Sequence, residues 1–185
     1  MSAWELPTSA TVGGNTYKIN ADFRDILQII SILNDPDKPE AFRWLIAMAL
    51  FYEGEVQPQD AEEAVQYMAE FIAYEDTGDS KPGQSFFDWE QDASIIIADV
   101  NKVAGQEIRS IPFVHWWTFL SWFFAIGEGQ LSTIVSIREK LRKGKPLEKW
   151  EKEYYQKNKS RVDLKTRYSA AEKAEQEKLK ALLDG

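Results

Sequence analysis

An all-α fold carrying a small N-terminal β-hairpin is what this sequence predicts, and three observations predict it. Apolar residues recur at helical spacing in six stretches between residues 23 and 141. Hydrophobic residues are 44% and charged residues 28% of a 185-residue chain, the balance of a globular domain able to bury a core. Strand-like patterning is confined to the first twenty residues. The expectation is a compact helical domain of about six helices over residues 1–146, followed by a charged, helix-prone C-terminal tail over 147–185.

Each element has its own signal. Ala10-Thr11-Val12 and Thr16-Tyr17-Lys18-Ile19 flank Gly13-Gly14-Asn15, residues that accept the positive φ of a tight hairpin turn. Phe23, Ile26, Leu27, Ile30 and Leu33 make one face of a first helix, which Pro36 ends. Pro39 suits the first turn of a second helix carrying Phe42, Leu45, Ile46, Ala49 and Leu50. A third, over about 60–74, lines up Ala61, Ala64, Val65, Met68, Phe71 and Ile72. Residues 75–84, polar with two glycines and a proline, read as a loop with the composition of a mobile one. A fourth helix opens at Ser85 with Asp88 three residues on, in capping-box spacing, and runs to Gly105. The aromatic run at 113–126 is the fifth. The sixth carries Leu131, Ile134, Val135, Arg138 and Leu141 and stops at Gly144 and Pro146. In the tail, Trp150 and Tyr154 stand four apart, and Leu164, Tyr168 and Ala171 make a thin stripe. Such a segment docks, extends, or folds on a partner.

Composition narrows the function classes. With no cysteine there is no disulfide framework and no thiolate metal site, and a cytosolic setting is the simplest reading. The start of the chain has no basic, then apolar, leader pattern. The 113–126 run is too short to cross a bilayer and is broken by His115, Thr118 and Ser121. Net charge is −8, split between −13 for residues 1–138 and +5 for 139–185. The acidic body argues against nucleic acid, whereas the basic tail suits an acidic surface, including another copy of the chain. A single histidine rules out a multi-histidine metal site. No Walker A loop occurs, and Gly127-Glu128-Gly129 lacks a dinucleotide fingerprint. His115 sits in an aromatic stretch, a poor place for a general base. Asp88, Asp92 and Asp99 are a weak catalytic signal by themselves, since an acidic chain offers such pairs by chance. We therefore expect no enzyme activity, no metal, no cofactor, no nucleic acid and no membrane insertion.

Two features stand out. Phe113, Trp116, Trp117, Phe119, Trp122 and Phe123 surround a helix with apolar surface, which suits either a central, covered helix or a flank that anchors a partner. Arg138 falls on the apolar stripe of its own helix. It is either a buried arginine paired with Asp92 near His115, or a rim arginine whose head reaches water.

The same residues carry a resemblance. His115-Trp116-Trp117-Thr118-Phe119-Leu120, followed by Ile134-Val135-Ser136-Ile137-Arg138, resembles the hallmark of the bacteriophage gene-product-fifteen family. Phe87-Asp88, Asp92 and Ile96, then Tyr17-Lys18-Ile19-Asn20, Asp22-Phe23-Arg24 and Ala61, Glu63, Ala64 extend it. The chain departs from the family pattern at 103–108 and at 127–130. The resemblance implies a phage or prophage tail-module protein of the host bacterial cytoplasm: a tail assembly chaperone that binds the tape-measure protein. A structural component retained in the finished tail is the alternative. It leaves room for contact with the tail-tube protein and for self-association.

Overall fold

The computed structural model describes residues 4–74, 85–165 and Glu172. The expected loop at 75–84, and Tyr168 and Ala171 of the tail stripe, lie outside the described residues. The chain is mostly helical with one two-stranded antiparallel hairpin. Strands β1 (Ser9–Val12) and β2 (Asn15–Lys18) pair Ala10 with Tyr17 and Val12 with Asn15. Gly13 and Gly14, at φ 56° and 79°, supply the two left-handed residues of the turn. Ala10 and Val12 point into the core. Tyr67 and Glu63 tie the hairpin down, through a hydroxyl donated to the Ser9 carbonyl and a carboxylate accepting from Gly13 N.

Eight α-helices follow among the described residues: α1 (Phe23–Leu33), α2 (Glu40–Phe51), α3 (Ala61–Ala73), α4 (Ala93–Ala104), α5 (Trp116–Phe124), α6 (Gln130–Arg142), α7 (Lys149–Lys157) and α8 (Lys159–Val162). Six of them precede residue 146, and two lie in the expected tail. The packed pairs run α3–α2–α1–α5–α4–α6–α8–α7, with β1 against α3. One core joins them, in which Phe51, Phe71, Trp116, Phe119, Ile134 and Ile137 are buried.

Two helix starts differ from the sequence expectation. The fourth helix begins at Ala93, not at Ser85. Residues 85–92 instead form turns: the Ser85 hydroxyl donates to the Phe87 carbonyl, and the Asp88 carboxylate accepts from Glu90 N and Gln91 N. Ser and Asp side chains bond nearby backbone in this way and so compete with helix. The turn lets Phe87 and Trp89 both pack on Phe123, at 5.2 and 4.8 Å between ring centroids. The aromatic helix begins at Trp116, not at residue 113. Residues 114–116 are drawn out to pair with 21–23, through Phe23 N to Val114 O at 2.9 Å and Trp116 N to Ala21 O at 2.7 Å. Asp22 secures the crossing by accepting from Val114 N.

Helix α2 also presents a different face. Phe42 and Leu45, expected in the core, are 49% and 65% exposed. Ala47 and Phe51 face inward instead. The stretch 41–51 is apolar on every side except for Arg43, so its sequence does not define which face is covered.

Candidate interaction surface

Built from its residues, the His-Trp-Trp segment is a joint between helices. His115 is the N-cap of α5: its Nδ1 accepts from Trp117 N at 3.1 Å. With Nδ1 an acceptor, the ring proton sits on Nε2 and is donated to the Pro7 carbonyl at 3.0 Å. Burial holds the imidazole below its ordinary pKa, and the Pro7 contact offsets only part of that. The next two indoles cap a different helix. Trp116 Nε1 donates to Ile72 O and Trp117 Nε1 to Phe71 O, each at 3.0 Å. Those carbonyls belong to the last turn of α3, where intrahelical donors run out. Each such bond contributes about 0.5–1.5 kcal/mol. Trp116, Trp117 and Phe119 are therefore core residues, and Phe119 stacks on Phe23 at 4.8 Å.

The remaining aromatics of that run diverge from them. Trp122 and Phe123 are half-buried, and Phe124 is 66% exposed at the end of α5. Phe113, just before the helix, is 54% exposed. A helix covered on all sides is thus not what the fold contains. The inner face of α5 is packed, and at its C-terminal end Phe124 stands exposed beside Trp122 and Phe123, which are partly buried against the core.

Arg138 and Asp92 meet in the interior. Nη1 and Nη2 reach Oδ2 and Oδ1 at 2.6 and 3.0 Å, a bidentate pair. The other three N–H groups donate to carbonyls: Nε to Val162 at 2.5 Å, Nη1 to Phe86 at 3.0 Å and Nη2 to Arg161 at 2.8 Å. All five guanidinium donors are used. Asp92 also accepts from Asp88 N at 2.9 Å. Three distant pieces of chain, the 85–92 turn, α6 and the end of α8, converge on one charge. His115 takes no part: no described hydrogen bond joins it to Arg138 or Asp92. Gln91 completes the junction, donating to Asp163 O and accepting from Lys165 N. The beginning of the expected tail is in this way fastened to the body, with Val162 fully buried.

Asp99, the third acid of that set, is structural too. It accepts from Lys102 Nζ and from Leu131 N in the first turn of α6. Among the described residues no cluster of His, Asp and Glu is arranged to hold a metal ion, and no helix is long and apolar enough to cross a membrane.

The sequence reading missed a groove. Between α2 and α3 lies a cavity of about 450 Å³ lined by Trp44, Leu45, Met48, Val56, Ala61 and Val65. Its signal was the all-round apolar character of residues 41–51, which is more than one core face can use.

No protein of curated function and no solved structure matches this chain. A family of phage proteins does: the one described as Bacteriophage Gp15 protein matches residues 4–164, a span that takes in the hairpin, the His-Trp-Trp joint, the Arg138 junction and the docked start of the tail. The chain belongs to that family.

Proposed function

We propose that this protein is a tail assembly chaperone that binds the tape-measure protein in the host bacterial cytoplasm. It keeps that long chain soluble until tail-tube subunits enclose it. The reading gives the protein no catalytic residue, cofactor or nucleic-acid ligand. Membership of a phage family supports the setting. The observation that carries the binding role is the aromatic end of α5, where Phe124 is exposed beside half-buried Trp122 and Phe123. Aromatic side chains rarely stand open in a cluster unless a partner covers them.

The test is co-expression with the tape-measure protein encoded by the same phage, followed by pull-down and a solubility assay. Co-purification with rescued solubility is expected, and Phe124→Glu is expected to abolish both while leaving the fold intact. Failure of the unaltered protein to bind or rescue would reject the chaperone role. Mass spectrometry of purified virions separates the alternative: a structural component is present there at fixed stoichiometry, whereas a chaperone is absent.

A further inference from the structure

The α2–α3 groove has no part in the binding role described above. Its floor and walls are apolar, with Leu45 65% exposed on one lip. Its surroundings are acidic. Glu55 lines it, and Glu40, Glu53 and Glu62 each adjoin a lining residue in the chain. All four are exposed, and among the described residues none of their carboxylates has an ion-pair or hydrogen-bond partner. The occupant it suits is an apolar side chain on a basic helix.

The same chain carries such a helix. Trp150 on α7 is 53% exposed. Around it Lys149, Lys152 and Lys157 are exposed, with no carboxylate partner among the described residues; the exposed acids there are Glu153 and the N-cap Glu148, which accepts from Trp150 Nε1 at 2.9 Å. The inner side of α7 is already committed, since Glu151 is buried and paired with Lys140. Within one molecule α7 packs beside α8 and is tied to α6 through Glu151, and none of its residues lines the groove, so a molecule does not fill its own groove.

We propose that α7 of a second copy, led by Trp150, occupies the α2–α3 groove, so that copies of this chain join head to tail. Free ammonium groups then face free carboxylates around an apolar centre, the usual layout of an interface core and rim. The contact is heterologous: each copy uses one surface to give and another to receive. Such contacts extend into rings or open chains instead of stopping at dimers.

Two variants test this, each at an exposed residue: Leu45→Glu blocks the groove, and Trp150→Ser removes the anchor. Sedimentation velocity of the wild type at rising concentration and low salt is expected to show species larger than dimers, weakening as salt screens the rims. Each variant alone is expected to remain monomeric with an unchanged circular dichroism spectrum. An equimolar mixture of the two retains one intact groove and one intact Trp150, and is expected to give one-to-one dimers and nothing larger. A wild type that stays monomeric overturns the proposal and leaves the groove to a different protein. So do variants that assemble like the wild type. A mixture that stays monomeric also overturns it, because then the two surfaces do not meet each other.

Discussion

Arg138 is the residue on which most of the interior depends. Its five N–H groups are spent on one buried carboxylate and three carbonyls, of which Val162's is buried and those of Phe86 and Arg161 are part-buried. Arg138→Met leaves Asp92 charged and unpaired and strands those carbonyls, a loss of about 3–5 kcal/mol. Guanidinium chloride melts are the measurement; a midpoint equal to that of the parent would refute the accounting. That an arginine on an apolar stripe needs acceptors was legible in the sequence. The carbonyls of Phe86, Arg161 and Val162 were not, because a backbone carbonyl carries no sequence signature. His115 is the second decisive residue. Its lowered pKa means that, from roughly 6.5 downward, the unfolded chain binds a proton that the folded one resists. Unfolding free energy therefore rises with pH across the window below that value and falls on acidification. Protonating Nδ1 would also destroy the acceptor that caps α5. Thermal melts from pH 7 to pH 5 are expected to drop for the parent. In His115→Asn, which keeps a capping acceptor without the titration, they are expected to stay level over the same range.

At the scale of elements, the helices read well where one face alternates and poorly where side chains redirect the backbone. α1, α3 and α6 appear where apolar spacing placed them. The starts of α4 and α5 shifted because Ser85, Asp88 and Asp22 bond backbone groups that helix would otherwise claim. Those preferences are visible in residue type, but which competitor wins is decided by where Trp89 and Val114 must pack. α6 is held at its own start by a borrowed cap. Gly129, at an extended φ of −172°, needs no glycine for its backbone, yet a Cβ there would meet Asp99 Oδ2 at 2.8 Å. Gly129→Ala therefore pushes the carboxylate off Leu131 N and costs about 1–3 kcal/mol. Gly127→Ala meets nothing within 4 Å and serves as the neutral comparison in the same melts.

At the scale of the whole molecule, the described helices share one core, in which α3 meets α5 through the Trp116 and Trp117 indoles and Val162 of α8 is buried. A chain ending at Asn158 loses Val162, both carbonyls that Arg138 takes from Arg161 and Val162, and the Gln91 clasp. It is expected to melt earlier and less cooperatively. A chain ending at Lys165 keeps all of these and is expected to melt above the one ending at Asn158, as read by calorimetry. Composition already revealed the basic swing after residue 138, but not that the segment turns back to fasten the body. That return depends on partners more than twenty residues away, a separation at which pattern carries no distance information. The same junction sets a clock during synthesis. Val162 follows Arg138 by 24 residues. At about 5–20 residues per second, the ribosome delivers the last acceptor on the order of one to five seconds after the arginine itself. For that interval the guanidinium has its earlier-made acceptors, Asp92 and the Phe86 carbonyl, but two of its five donors still lack the carbonyls of Arg161 and Val162, so the junction closes only after Val162 has been made.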